Sequence, residues 1–140
     1  MKYKHIKKSS RFPFLLVLFS ILLCTQCTSN EKALHKKLSE MAANLNTSTP
    51  VMLDPYTRFD GASVTSDNVF QYTYSILNTQ NATQMVDDAI KSMIPEMRKM
   101  FSENKDLRIF KENKVTIEYI YKDATGTVIR SEKITPEDYS

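Results

Sequence analysis

The stretch FQYTYSI, residues 70–76, alternates large apolar and polar side chains, and this pattern constrains the fold more than any other feature. Its apolar positions are Phe70, Tyr72, Tyr74 and Ile76. Side chains of a β-strand point alternately to its two faces, so the alternation predicts a strand with one buried aromatic face. Residues 115–121 repeat the pattern, with Tyr119 and Tyr121 as their aromatic pair. If the two strands are neighbours, the four tyrosines form one stripe, which favours core packing over a ligand-stacking platform.

Two segments have the apolar spacing of helices that would cover such a sheet. The first, about residues 31–45, has apolar residues along one helical face: Leu34, Leu38, Met41, Ala42 and Leu45. The second begins near Asn81 and keeps helical spacing as far as Phe101. Pro95 interrupts it, which predicts a kink. A short helical turn is expected within residues 104–113.

Shorter patterns complete the predicted sheet. Val51–Asp54 and Thr57–Asp60 predict short strands, and the segment from Gly61 to Asn68 is rich in turn residues. The stretches Val115–Tyr121 and Thr127–Ile134 flank a glycine-containing turn and therefore predict a hairpin.

This order of elements predicts an α+β fold. It comprises an N-terminal signal or anchor segment, a helix, an antiparallel sheet of about four strands, and a long kinked amphipathic helix packed on one face. Residues 28–140 are expected to form a single domain, with the sheet and the long helix within residues 51–134. The tail, residues 135–140, is expected to be loose.

The N-terminal segment has the layout of an export signal. Five basic residues precede residue 12, and an apolar run from Phe12 to Leu23 follows them. A positive region followed by about 7–15 apolar residues is typical of a secretory signal, whereas a bilayer-spanning helix needs about 20. Residues 1–27 are therefore predicted to be a signal peptide or a membrane anchor, which places the remainder in the cell envelope, outside the cytoplasm.

Cys24 and Cys27 lie at the end of this apolar run. A redox C-x-x-C pair is disfavoured, because such a pair follows a strand and opens a helix. A lipidated cysteine follows small residues, and Thr25 and Gln26 suit Cys27 better than the bulky leucines before Cys24. Lipidation at Cys27, an uncleaved anchor and plain cleavage after Ser29 are the alternatives, with lipidation favoured.

The charge of the chain argues against nucleic-acid binding. Five of the 19 Lys and Arg residues lie before residue 12, and all 16 acidic residues lie after residue 30. The remainder therefore has 14 basic and 16 acidic residues, a net charge of −2. Such a domain lacks the basic surface that releases counterions from nucleic acid.

Several kinds of site are disfavoured by composition. After the signal region the chain has one histidine, His35, no cysteine, and two glycines, so a Ser/His/Asp triad, a zinc site and a glycine-rich phosphate loop are not expected. Met93, Met97 and Met100 share a helical face with Met85. Thioethers can bind Cu(I), but a flexible packing face is the favoured interpretation. We expect neither a metal nor a cofactor.

The segment from Asp54 to Asp60 contains the most unusual polar cluster. Arg58 and Asp60 are expected to share a strand face, with Asp54 folded back beside Arg58. Such a group can form a structural network, bind a charged partner, or do acid–base work, in that order of preference. The candidate binding residues are those of this cluster and the neighbouring tyrosines: Asp54, Thr57, Arg58, Asp60, Tyr72 and Tyr74.

Three stretches resemble small bacterial membrane-associated or exported proteins of unassigned function. The shared features are a Met/Leu-Asp-x-x-Thr-Arg-x-Asp segment, a Tyr-x-Tyr strand, and a closing Tyr-x-Tyr hairpin followed by Thr-Pro. The residues that carry the resemblance are Asp54, Thr57, Arg58, Asp60, Tyr72, Tyr74, Tyr119, Tyr121, Thr135 and Pro136. The resemblance covers about residues 45–140. It implies a bacterial envelope setting and brings no activity with it.

These observations favour an envelope-tethered, non-catalytic protein that binds, assembles or regulates a partner. The alternative is an inhibitor or immunity-type protein for an exported enzyme or toxin, and a carboxylate-based hydrolase is less favoured. The expected partners are the membrane, through the N-terminal segment, and an unidentified protein.

Overall fold

The computed structural model of the chain describes the backbone of residues 12–139 and the side chains of residues 29–139, apart from Ser102 and Asp106. The chain divides into two compact units, Met1–Ala33 and Leu34–Ser140. Within the described residues, no helix has the length and apolar character needed to cross a membrane. The basic part of the predicted signal and the side chains of both cysteines lie outside the described residues.

Helices and strands follow each other in nearly the predicted order. The helices are α1 (Phe12–Asn46), α2 (Ala82–Glu103), α3 (Arg108–Glu112) and α4 (Pro136–Tyr139), with a 3-10 turn at Lys105–Leu107. The strands are β1 (Val51–Met52), β2 (Thr57–Val64), β3 (Phe70–Ile76), β4 (Ile117–Lys122) and β5 (Val128–Ile134). The predicted helical turn within residues 104–113 is confirmed. The predicted mixed α+β class is also confirmed.

The sheet differs from the prediction in strand number and direction. In the described part of the chain, five strands lie in the order β1-β2-β3-β4-β5. All neighbours are antiparallel except β3 and β4, which are parallel. The expectation of about four antiparallel strands is therefore wrong. The reason is that α2 and α3 connect β3 to β4 as a crossover, and a crossover returns the chain in the same direction.

Strand β2 continues through the segment that was predicted to be a turn. Its pairing with β3 shifts register between Phe59 and Gly61, which is a β-bulge. Gly61 has φ +151°, a conformation that favours glycine. The bulge lets the strand continue as far as Val64.

The side-chain amide of Asn46, the last residue of α1, holds the helix end against the edge of β2. Asn46 Nδ2 donates to the carbonyl oxygen of Ala62 at 2.8 Å, and the Ala62 N–H donates to Asn46 Oδ1 at 2.7 Å. The amide therefore takes the place of a neighbouring strand. A Cβ at Gly61 would lie 2.9 Å from Asn46 Oδ1, so the close approach requires glycine.

The two Tyr-x-Tyr segments are neighbouring strands in register. Tyr72 pairs with Tyr119 and Tyr74 with Tyr121. Their rings are stacked, with centroids 5.2 and 5.4 Å apart. The predicted aromatic stripe is therefore present. Together with apolar residues of α1 and α2 it forms one hydrophobic core.

The long helix packs its apolar face on this core. Val86, Ile90, Met97 and Phe101 of α2 are all buried. Pro95 lies inside the helix, which continues without a break to Glu103. The kink at Pro95 stays a prediction.

In the described part of the C-terminal tail, residues 135–139, a short helix packs on the core, which corrects the expectation of a loose tail there. Tyr139 in α4 is 3% exposed. Its hydroxyl donates to the carbonyl oxygens of Val115 at 2.6 Å and Phe110 at 3.3 Å. Thr135 donates its backbone N–H and its hydroxyl to Asp138 Oδ2, which fixes the short helix locally. The tail was misjudged because its sequence is polar apart from this one tyrosine.

Candidate functional site

A groove of about 440 Å³ opens between the first half of α2 and the loop that joins β1 to β2. Its floor is formed by Tyr74, Ile76 and Tyr121, at the ends of β3 and β4. These residues lie on the inner face of the sheet because they continue the alternation of the two strands. The floor is therefore a continuation of the aromatic stripe beyond the helices that cover it.

The groove floor is electrically neutral. Burial raises the pKa of Tyr121 to about 12. Burial, with the neighbouring hydroxyls of Tyr121 and Tyr72, raises the pKa of Tyr74 further. Both phenols are therefore protonated at physiological pH. The Tyr121 hydroxyl contacts Met93 Sδ at 3.8 Å, which joins the floor to the helix wall.

The helix wall consists of flexible and small apolar side chains. It is formed by Met85, Val86, Ala89 and Met93 of α2. Their spacing places them on one face of the helix. The unbranched thioether side chains of Met85 and Met93 adapt to irregular surfaces and are frequent at binding surfaces that accept varied partners.

The loop wall is fixed by a turn centred on Asp54. Asp54 Oδ1 accepts hydrogen bonds from the backbone N–H groups of Tyr56 at 2.7 Å and Thr57 at 2.8 Å. The Leu53 N–H donates to the Thr57 carbonyl at 2.9 Å and closes the turn. The Tyr56 carbonyl accepts from the Leu77 N–H at 2.7 Å, which ties the loop to the end of β3. The loop is therefore held in place before any partner binds.

This turn presents large apolar side chains to solvent. We name them the apolar rim: Val51, Met52, Leu53 and Tyr56. Leu53 is 59% exposed and Tyr56 44% exposed, and both line the groove. Val51 and Met52 form β1, the edge strand beside them, and are also exposed. Val51 pairs with Phe59 and extends the apolar surface on the groove side of the sheet, whereas Met52 pairs with Arg58 and continues the rim on the other face.

The structure splits the predicted polar cluster between the two faces of the sheet. Asp54 and Thr57 line the groove. Arg58 and Asp60 pair with Ser75 on the other face: Arg58 Nε lies 2.6 Å from Asp60 Oδ1, and Ser75 Oγ donates to Asp60 Oδ2 at 2.6 Å. The predicted shared face of Arg58 and Asp60 is confirmed.

Asp54 and Arg58, which were expected to lie side by side, form no ion pair in the described part of the chain. An aspartate at the start of a turn bonds to backbone N–H groups two and three residues on, and Asp54 does so. Arg58 instead lies opposite Ser75 in the strand register, on the polar face of β3. Its guanidinium also reaches Ser75 Oγ at 3.4 Å. The Arg58–Asp60–Ser75 group is consequently a network within the sheet, away from the groove.

The tyrosines of the predicted site have different positions. Tyr74 lies in the groove floor, whereas Tyr72 does not line the groove and stacks on Tyr119 in the stripe. The sequence interpretation missed the apolar rim and the helix wall. Three consecutive apolar residues, Val51 to Leu53, next to a proline-containing turn were the available signal.

The methionines that share one face of α2 lie in different surroundings. Met93 lines the groove, Met97 is buried in the core, and Met100 is 43% exposed. No group of three or more His, Cys, Asp or Glu side chains among the described residues is placed to hold a metal ion.

His35 Nδ1 lies 2.9 Å from Asn68 Oδ1, which joins α1 to the turn between β2 and β3.

A family model described as "Domain of unknown function (DUF8479)" matches residues 32–129. No curated protein matches the chain.

Three solved structures share the fold at low sequence identity. One, from Pseudomonas aeruginosa, is inferred to be secreted; it is 14% identical, with a TM-score of 0.66, and covers 79% of this chain and 96% of its own. A second is the type 2 secretion system pilotin EpsS from Vibrio vulnificus, which is 13% identical. Its match has a TM-score of 0.62 and covers 81% of this chain and 97% of the pilotin chain. The third is the type II secretion system pilotin AspS from Vibrio cholerae, which is 16% identical. Its match has a TM-score of 0.53 and covers 80% of this chain and 97% of the pilotin chain.

Proposed function

We propose a non-catalytic role in the bacterial cell envelope for this chain, which belongs to the DUF8479 family. In this role the groove and the apolar rim bind a segment of a partner protein, and the bound partner is assembled or regulated in the envelope. The observation that carries the proposal is a preformed apolar groove whose apolar lining continues onto an exposed rim.

The groove has the character of a binding surface. A contiguous apolar surface on a soluble domain is unfavourable in water, and large exposed patches mark interaction sites. The floor, the helix wall and the rim present such a surface, and its loop wall is already ordered by hydrogen bonds. A preformed site avoids part of the ordering entropy that binding would otherwise cost.

The two edges of the sheet differ in a way that favours a protein partner at the groove side. Strand β5 carries charged side chains, Arg130, Glu132 and Lys133, and charges of this kind protect an edge from pairing with other chains. Strand β1 at the opposite edge has only the exposed apolar pair Val51 and Met52. This edge strand carries no charged side chain and leads directly into Leu53 of the groove, so both features offer contact to the same partner.

The structural comparisons support an assembly role. Two of the three similar structures are pilotins of a type II secretion system, and the third is inferred to be secreted. We infer from them an envelope setting and a partner that belongs to an envelope assembly.

The N-terminal segment supports tethering. The basic residues before residue 12 and the apolar run Phe12–Leu23 fit an export signal, and Cys27 is our proposed lipidation site. The resemblance to exported bacterial proteins through Asp54, Tyr74 and the closing hairpin points to the same setting. Acyl labelling of the full chain should be lost in Cys27→Ser and kept in Cys24→Ser. Unchanged labelling of the Cys27 variant would contradict the tether.

A pair of matched variants tests the groove. Ala89 lies on the exposed helix wall, so Ala89→Trp should fill the groove without entering the core. Ala43→Trp adds the same ring to an exposed position of α1 that does not line the groove. When the tagged full chain is captured from its own envelope, a partner should be retained by the wild type and Ala43→Trp and lost in Ala89→Trp. Equal retention in both variants, with equal thermal midpoints, would contradict the proposal.

A further inference from the structure

We propose that the segment bound in the groove carries a lysine or arginine beside its apolar side chains, and that the carboxylate of Asp54 is the counter-ion for this cation. This inference rests on the proposed function and specifies the chemistry of the partner.

Asp54 is a charged group in an otherwise uncharged lining. Among the described residues that line the groove, the other ten are apolar or neutral polar: Leu53, Tyr56, Thr57, Tyr74, Ile76, Met85, Val86, Ala89, Met93 and Tyr121. The N–H of Tyr56 and that of Thr57 lower the pKa of Asp54, so the group is ionised at physiological pH. An anion therefore stands at the loop wall of an apolar groove.

The neighbouring acids on α2 are already paired, whereas Asp54 is not. Asp88 lies 3.4 Å from Lys91 Nζ, and Asp87 lies 3.6 Å from Arg130. Asp54 forms no ion pair within the described part of the chain, and the backbone N–H groups that bond to its Oδ1 are uncharged. The Thr57 hydroxyl is a further uncharged partner of this carboxylate, so the carboxylate lies at the groove without a cation beside it.

Charge complementarity distinguishes the possible occupants. A fatty acid or an anionic lipid would bring a second negative charge to Asp54, which is unfavourable. An acyl chain alone would leave Asp54 without a partner. A polypeptide with a cationic residue next to its apolar residues satisfies the groove and the carboxylate together, and such complementarity selects partners as well as strengthening binding.

Asp54→Asn removes the charge and keeps the turn. The asparagine carbonyl oxygen can accept the same two backbone N–H bonds, because Asn and Asp form the same turn. Asp123 provides a matched control: its Oδ1 also accepts backbone N–H bonds, from Thr125 at 2.8 Å and Thr127 at 3.0 Å, and it does not line the groove. Asp123→Asn therefore makes the same chemical change in a similar turn.

The test uses two synthetic amphipathic peptides of equal apolar face, one flanked by lysines and one by glutamates. Their dissociation constants for the full chain are measured by fluorescence anisotropy at low and high salt. We expect the lysine peptide to bind more tightly than the glutamate peptide, and Asp54→Asn to weaken binding of the lysine peptide by about two- to fivefold, as expected for an exposed ion pair. The loss should shrink at high salt, because salt screens exposed charges. Asp123→Asn and the glutamate peptide should show no such change.

The outcomes separate this inference from the proposed function. If the lysine peptide binds no more tightly than the glutamate peptide, or Asp54→Asn binds it like the wild type, the inference is overturned. If Ala89→Trp still abolishes the binding of both peptides in that case, the groove remains the binding site. Tighter binding of anionic vesicles than of either peptide would overturn the choice of a polypeptide.

Discussion

Replacement of Tyr139 tests whether the C-terminal tail is part of the folded core. The ring stacks on Phe101 with centroids 5.3 Å apart, and the hydroxyl donates to the Val115 carbonyl at 2.6 Å. The Phe110 carbonyl also accepts from the Val115 N–H, so it keeps a partner when the hydroxyl is removed. Removing the hydroxyl therefore leaves one buried acceptor, the Val115 carbonyl, without this bond.

The expected costs follow from this geometry. Tyr139→Phe should lower the free energy of unfolding by about 1–3 kcal/mol, the penalty of one unsatisfied buried acceptor. Tyr139→Ala also removes the buried ring and should cost about 3–5 kcal/mol. This range is a large share of the stability of a small domain, about 5–15 kcal/mol.

Urea unfolding measures both effects. Small domains have m values of about 1–3 kcal/mol/M, so Tyr139→Ala should lower the midpoint by roughly 2 M and Tyr139→Phe by roughly 1 M. Glu137→Ala, at an exposed position of α4, is the control and should stay within about 0.5 kcal/mol. A midpoint for Tyr139→Ala equal to that of the control would refute the reasoning and restore a loose tail.

Three further predictions concern the sheet and the tail. Asn46→Ala should lower the free energy of unfolding by about 1–3 kcal/mol, because it leaves the N–H and C=O of Ala62 without their partner; an unchanged urea midpoint would contradict this. Arg58→Ala should cost about 1 kcal/mol or less, since its side chain is 38% exposed, and should leave partner capture unchanged; lost capture would place the binding surface on the other face. The Thr135 N–H and hydroxyl lower the pKa of the Asp138 carboxyl in the folded state. The ionised carboxylate therefore stabilises the folded state at any pH above its pKa in the unfolded chain, about 4. This stabilisation is lost as the pH falls from there through the lower pKa of the folded state. The stability difference between the wild type and Asp138→Asn should therefore vanish in acid, and a difference that persists there would exclude this cause.

Periodicity was sufficient to predict α2, the second half of α1 and most strands, but not α4. The alternation around Tyr72 and Tyr119 predicted two strands with a common aromatic face, and the helical spacing from Asn81 to Phe101 predicted α2. The direction of β4 relative to β3 could not be read in this way, because alternation is the same in parallel and antiparallel strands. The continuation of β2 past Gly61 depends on the bulge, which involves contacts with Asn46 that are distant in sequence.

The candidate site was predicted in part. Asp54, Thr57 and Tyr74 line the groove, but Arg58 and Asp60 do not, because alternate residues of β2 point to opposite faces. The helix wall was missed because side chains of a groove and of a core have the same spacing on a helix, and exposure alone separates Ala89 from its buried neighbours. Whether a helical face is covered depends on the position of the β1–β2 loop, which no local pattern specifies.

Site-specific photocrosslinking in the native envelope tests the central claim most directly. A photoreactive residue at Leu53, in the apolar rim, is compared with one at Ser131, an exposed position of the charged edge strand β5. The account predicts one discrete crosslinked polypeptide from position 53, its loss when Ala89→Trp is added, and no such product from position 131. No product from position 53, or the same product with the groove filled, would contradict the claim that the groove binds a partner.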